Sequence, residues 1–190
     1  MTLLKTNLSD APREFRAPQT MTPEELGDNL ARLVWESFSD FIAEDDAGIS
    51  LTDLLAATED GLPEQHAAEE ALIFLMWAHT RGTQLAFIGR STDDLVRLGL
   101  DLMHGAVFED MVAHGTPRAQ LPIFEQRVSA RYSEYSAAAE ISDARLGRVV
   151  ARHLTGRDDA TDAAVRAVAE RAIAVANPLR DFLEDVELIG

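Results

Sequence analysis

The chain has 190 residues, 33 of them Asp or Glu against 17 Lys or Arg, for a net charge of −16, and apolar residues make up 46% of it. That composition supports one buried core and is too apolar for a disordered chain. The charge repels phosphate backbones and anionic bilayers, so neither nucleic acid nor membrane is an expected partner, and the absence of Cys removes disulfides, zinc thiolates and thiol catalysis.

No apolar run reaches the length of a membrane span, and Met1 to Asp10 holds no secretion signal. A cytoplasmic protein is the expectation. The acidity is uneven. Residues 23–60 carry 11 acidic side chains and a single basic one, Arg32, whereas residues 116–190 carry 12 and 10. Strand patterns are almost absent and helical spacing recurs, which predicts an all-α fold: a single-domain bundle of about six or seven helices. Residues 1–20, with Pro12 and Pro18, read as a flexible arm, and residues 21–190 as one all-helical domain.

The first predicted helix opens at Thr22, where Pro23 suits the first helical position and Glu25 completes a capping box. Leu26, Leu30, Leu33, Val34, Ser37, Phe38 and Phe41 form its core stripe, and the helix is expected to end near Asp45. Glu36, Asp40 and Glu44 repeat every four residues on the other face, continued by Asp45 and Asp46. Like charges at that spacing repel slightly, so this face is not tuned for helix stability. A short helix from Ser50 to Gly61 follows.

The third helix is expected over about 63–89. Its middle, Ala71 to Ala78, is apolar on every side, which marks the central helix of the bundle. Ser91 and Asp94 suggest a capping box for a fourth helix ending near Gly115. Pro122 opens a fifth, and Ser142 caps a sixth that Gly156 ends. In the last helix Val165, Val168, Ala172, Val175, Leu179, Phe182 and Val186 alternate spacings of three and four. That register fits packing within the bundle and fits the seam of a homodimer. Asn177-Pro178 predicts a kink or a fresh helix start inside it.

Candidate chemistry is sparse. No nucleophile elbow, phosphate loop or dinucleotide fingerprint occurs, so no cofactor is expected. Helical bundles build metal sites from His and carboxylates on facing helices, which makes His66, Glu70, His104 and Asp110 the first metal candidates. The His-x-x-x-His pair of hemerythrin-like sites and the paired Glu-x-x-His units of ferritin-like ones are both missing. His79, on the stripe of Leu72 and Leu75, fits a satisfied core histidine or a polar group facing a pocket. Glu70, Trp77 and Arg81 lie on a neighbouring stripe and would flank such a pocket or form an interhelical ion pair. The expected function is a non-enzymatic, acidic interaction or regulatory protein. Its face of Glu36, Asp40, Glu44, Asp45 and Asp46 would meet a basic protein partner, or the chain would self-associate. A small-ligand or enzymatic bundle with a pocket along the central helix is the competing expectation.

Overall fold

Thr22 and Glu25 form the expected box. The Thr22 backbone N–H donates to Glu25 Oε2 at 2.9 Å, and the Glu25 N–H donates to Thr22 Oγ1 at 3.3 Å. The helix that they open belongs to an all-α bundle, in a computed structural model that describes residues 19–42 and 64–190. Its elements are β1 (Gln19–Met21), α1 (Pro23–Ile42), α2 (Glu64–Phe87), α3 (Asp93–Ala113), a 3-10 turn (Arg118–Gln120), α4 (Leu121–Ile141), α5 (Asp143–Thr155), α6 (Asp162–Leu183) and β2 (Val186–Leu188). The expected helix at Ser50–Gly61, arm residues 1–18, and Glu44, Asp45 and Asp46 lie outside the described residues.

α2 is the central helix. Every residue from Glu70 to Thr80 is buried, because α1, α3, α4, α5 and α6 all pack against it. The apolar stripe of α1 turns Leu26, Leu30, Val34 and Phe41 into the core. Two glycines set how closely α1 and α3 approach. A Cβ on Gly27 would stand 2.7 Å from Leu102 Cβ, and one on Gly99 would stand 2.7 Å from Leu26 Cδ2. Such contacts are closer than packed carbons tolerate, so the α1–α3 crossing requires both residues to lack side chains.

Local signals hold at most helix ends. Ser142 Oγ accepts from the Arg145 N–H at 3.1 Å, and Gly156 closes α5 in the left-handed conformation at φ 69°. The Ser91–Asp94 box does not form. Thr92 stands at the N-cap of α3 without a side-chain cap bond, and Ser91 Oγ is buried without a partner. The turn at Gly89 (φ 70°), with the N–H groups of Arg90 and Ser91 both directed to the Phe87 carbonyl, shifts the helix start by one residue.

Three features depart from the expected pattern. α6 runs unbroken through Pro178, so Asn177 opens no new helix. Ala174 and Pro178 are both exposed, so water can satisfy the carbonyl that the proline leaves unpaired. Val186 leaves the helical stripe and lies in β2, which pairs in parallel with β1 in the register Gln19↔Val186 and Met21↔Leu188. The strand pair therefore ties residues 19–21 to the C-terminal end, where an arm was expected to reach residue 20. Arg90 holds that end from α2's side. Its Nη1 donates to the carbonyls of Ala86 and Leu183 (2.9 and 3.0 Å), and its Nη2 to those of Glu184 and Val186 (2.5 and 2.9 Å). The last carbonyls of α6 thereby gain a cation, which the helix dipole favours.

The heptad-like stripe of α6 faces inward. Val165, Val168, Ala172, Leu179 and Val186 are buried, Val175 is half-buried, and Phe182 alone of the seven is exposed, at 47%. The stripe packs on α2 and α5 of the same chain. The α5–α6 approach is very close: a Cβ on Gly147 would land on the Val165 carbonyl oxygen.

Candidate functional site

The residues singled out in the sequence fall in four places, two of which share Asp40. Glu70 is fully buried (0% exposed), and its carboxylate meets α4. Arg131 Nε donates to Oε2 at 2.8 Å and Nη2 to Oε1 at 3.0 Å, a two-bond fork that fits a carboxylate. Arg127 Nη1 and His66 Nε2 each stand 3.8 Å from Oε1, and Arg127 Nη2 pairs with Glu69 at 2.9 Å. The bond to Glu70 pushes the Arg131 guanidinium further above its ordinary value. Glu70 thus makes an interhelical ion pair, with Arg127 and Arg131 in the role that sequence spacing offered to Arg81. Trp77 is occupied too. Its Nε1 donates to Ser136 Oγ at 3.1 Å, and its ring meets Tyr135 edge-on at 5.8 Å. Burial pushes the Tyr135 hydroxyl far above the usual phenol value.

The four metal candidates are not brought together. Glu70 is taken by the arginines, Asp110 Oδ2 accepts from Trp35 Nε1 at 2.9 Å, and His104 lies in its own network on α3. Among the described residues no three His, Asp or Glu side chains converge as metal ligands.

Three histidines repeat one local device, with Nδ1 donating to the carbonyl four residues earlier: His79 to Leu75 (2.8 Å), His104 to Leu100 (2.7 Å) and His114 to Asp110 (2.7 Å). They differ at the other nitrogen. His104 Nε2 lies 2.8 Å from the Tyr132 hydroxyl, which in turn stands 3.3 Å from Thr80 Oγ1. Thr80 donates to Tyr132 and Tyr132 to His104, so this chain is saturated and leaves no free base. His79, 3% exposed, has no partner for Nε2 among the described residues, and it lines a pocket of about 360 Å³ between α1, α2 and α6.

Burial holds His79, His104 and His153 below the ordinary value of 6.5, against the opposing pull of their hydrogen bonds. The unfolded chain therefore takes up protons that the folded chain refuses. Stability is full above that value and is lost as pH falls below it towards the folded-state values. We expect a lower urea midpoint at about pH 5.5 than at about pH 7.5, with His104→Gln narrowing the gap. The carboxylates whose values are lowered (Glu109, Glu134, Asp159) act only at or below their ordinary range of about 4.5 and do not confuse this window. Equal midpoints at the two pH values would show that burial does not bias these rings.

The acidic face of α1 forms one wall of an open groove of about 720 Å³ against α3. Asp28, Glu36 and Asp40 reach it from α1, and Asp110 reaches it from α3. Trp35 lies between them, edge-on to Phe38 at 5.6 Å and tied to Asp110 through its ring nitrogen. Arg32 is the sole cation lining the groove among the described residues, and it is engaged locally by Asn29 Oδ1 at 3.0 Å and by Glu36 at 3.9 Å. Sequence spacing found Glu36 and Asp40 but not Asp28, Trp35 or the partnership with Asp110, since the nearest warning was only that Trp35 sits one position before Glu36.

Among the described residues no helix is long and apolar enough to cross a membrane. Neither a family model, nor a curated protein sequence, nor a solved structure matches the chain, so its reading rests on the groove and the pocket themselves.

Proposed function

We propose that this is a non-enzymatic interaction protein whose α1–α3 groove receives a basic segment of a partner protein. One observation carries the reading. Asp110 crosses from α3 to join Asp28, Glu36 and Asp40, so four carboxylates and one arginine surround the half-buried ring of Trp35. The carboxylates steer and hold Arg or Lys heads. The Trp35 ring offers a surface for their aliphatic stems and for a guanidinium.

Fluorescence anisotropy with a labelled Arg- and Lys-rich peptide, beside a Glu-substituted counterpart, tests this directly. The basic peptide is expected to bind at low salt, to weaken severalfold as screening rises, and to lose about tenfold in affinity in the Asp28→Lys/Glu36→Lys variant. Glu140→Lys/Asp158→Lys makes the same change in net charge elsewhere on the surface and should leave binding within about twofold. If the two double variants weaken binding equally, net charge alone acts and the groove is no receptor.

A further inference from the structure

We propose that the pocket between α1, α2 and α6 is a binding site for a small carboxylic acid that has an apolar body and one hydrogen-bond donor. Its chemistry differs from that of the acidic groove, and the inference does not depend on the partner reading.

The wall is apolar where α6 supplies Val175, Leu179 and Phe182 and α1 supplies Leu33. Two cations reach the same space, Arg32 and Arg171. Arg171 is half-buried, and its guanidinium carbon sits 5.3 Å from the centre of the Phe41 ring. Among the described residues it has no carboxylate partner, unusual for a half-buried guanidinium in a chain with net charge −16. Asp40 lines the same pocket without pairing with it. Arg32 is already engaged by Glu36 and Asn29, which leaves Arg171 as the cation that a monoanion would meet in the pocket.

His79 supplies the second recognition element. With Nδ1–H committed to the Leu75 carbonyl, the neutral ring presents Nε2 as a bare acceptor on the α2 side. A donor on a ligand would take the place of water at this nitrogen, which is not among the sealed, unpartnered polar atoms of the described residues. His104 provides the internal comparison: the same Nδ1 bond is there, but Tyr132 fills the second nitrogen. The volume of about 360 Å³ lies at the small end of ligand pockets. A carboxylate facing Arg171, an apolar body on Leu179 and Phe182, and a hydroxyl or amine facing His79 together occupy all three kinds of surface.

Isothermal titration calorimetry of the full chain with four probes separates the elements. The probes are 3-phenyllactate, phenylalanine, 3-phenylpropionate and 3-phenyl-1,2-propanediol. Phenyllactate or phenylalanine is expected to bind at millimolar affinity or better, and the comparison between them tells whether a hydroxyl or an amine is the donor. Phenylpropionate, which lacks the donor, should bind about tenfold more weakly, and the diol, which lacks the anion, should bind weakest. Arg171→Gln should cost about tenfold while Arg171→Lys stays within about threefold. His79→Met should erase the preference for phenyllactate over phenylpropionate, and if that variant fails to fold the Arg171 pair decides alone. Asp28→Lys, which changes the groove and not the pocket lining, should leave acid binding within about twofold. If no acid binds better than the diol, or if Arg171→Gln binds as the parent does, the proposal is overturned.

Discussion

Replacing Arg131 with Met is expected to cost about 3 kcal/mol of folding stability, because it leaves the Glu70 carboxylate buried without its two-bond partner. Glu70 is fully enclosed on α2, and what remains near it, Arg127 Nη1 and His66 Nε2, stands 3.8 Å away. The reverse substitution is expected to be milder. Glu70→Met removes the buried charge itself, and the arginines that faced it keep side-chain exposures of 20% and 22%, enough to turn their heads to water. Its cost should stay below about 2 kcal/mol, and the double variant Glu70→Met/Arg131→Met should be closer still to the parent. Urea unfolding followed by circular dichroism gives all three values. Equal losses for the two single changes would mean that Glu70 has other means of solvation than Arg131.

Val168→Glu is expected to be the most damaging single change, at about 4 kcal/mol or more, a large share of the 5–15 kcal/mol or so that holds a domain folded. Val168 is 1% exposed and sits on the stripe that α6 turns toward α2 and α5, where a carboxylate would be taken out of water. Ile173→Glu on the same helix, at a position 43% exposed, should stay within about 0.5 kcal/mol. Light scattering together with circular dichroism separates the two roles open to this register. An unfolded Val168→Glu chain places the stripe in the protein's own core. A folded monomer from a dimeric parent would assign it to a seam between chains.

The α6 stripe also shows where periodicity stops being informative. A three-four repeat says that one face of a helix is covered, and the same repeat serves a partner helix in the same chain or in another. The Glu70 ion pair is a similar case. Spacing along α2 placed Glu70 and Arg81 on one stripe, but the cations that reach Glu70 come from α4, 61 residues along the chain for Arg131. The strand pair was hidden for a related reason. Three residues at each end are too short to carry an alternation, and Gln19–Met21 becomes a strand only because Val186–Leu188 is laid beside it.

The acidic groove and the His79 pocket stand between these extremes. Glu36, Asp40 and His79 were visible as residues with a periodic address. Their surroundings were not, since Asp110 joins the groove from α3 and Arg171 joins the pocket from α6.

What the sequence by itself determined is local: the all-α class, the central place of the apolar helix, the Thr22–Glu25 box, the Ser142 cap and the Gly156 stop. Each follows from backbone geometry and side-chain spacing within a few turns, where the interacting atoms are neighbours in the chain. Tertiary structure alone decided which charges are paired and which are left open. Arg131 quenches Glu70, while Arg171 rests on the Phe41 ring with no carboxylate partner among the described residues, and that difference makes one half-buried cation a structural fastening and leaves the other for the proposed ligand. The physical reason is that pairing and desolvation depend on which helices meet, and amphipathic patterning specifies that a face is buried without specifying against what.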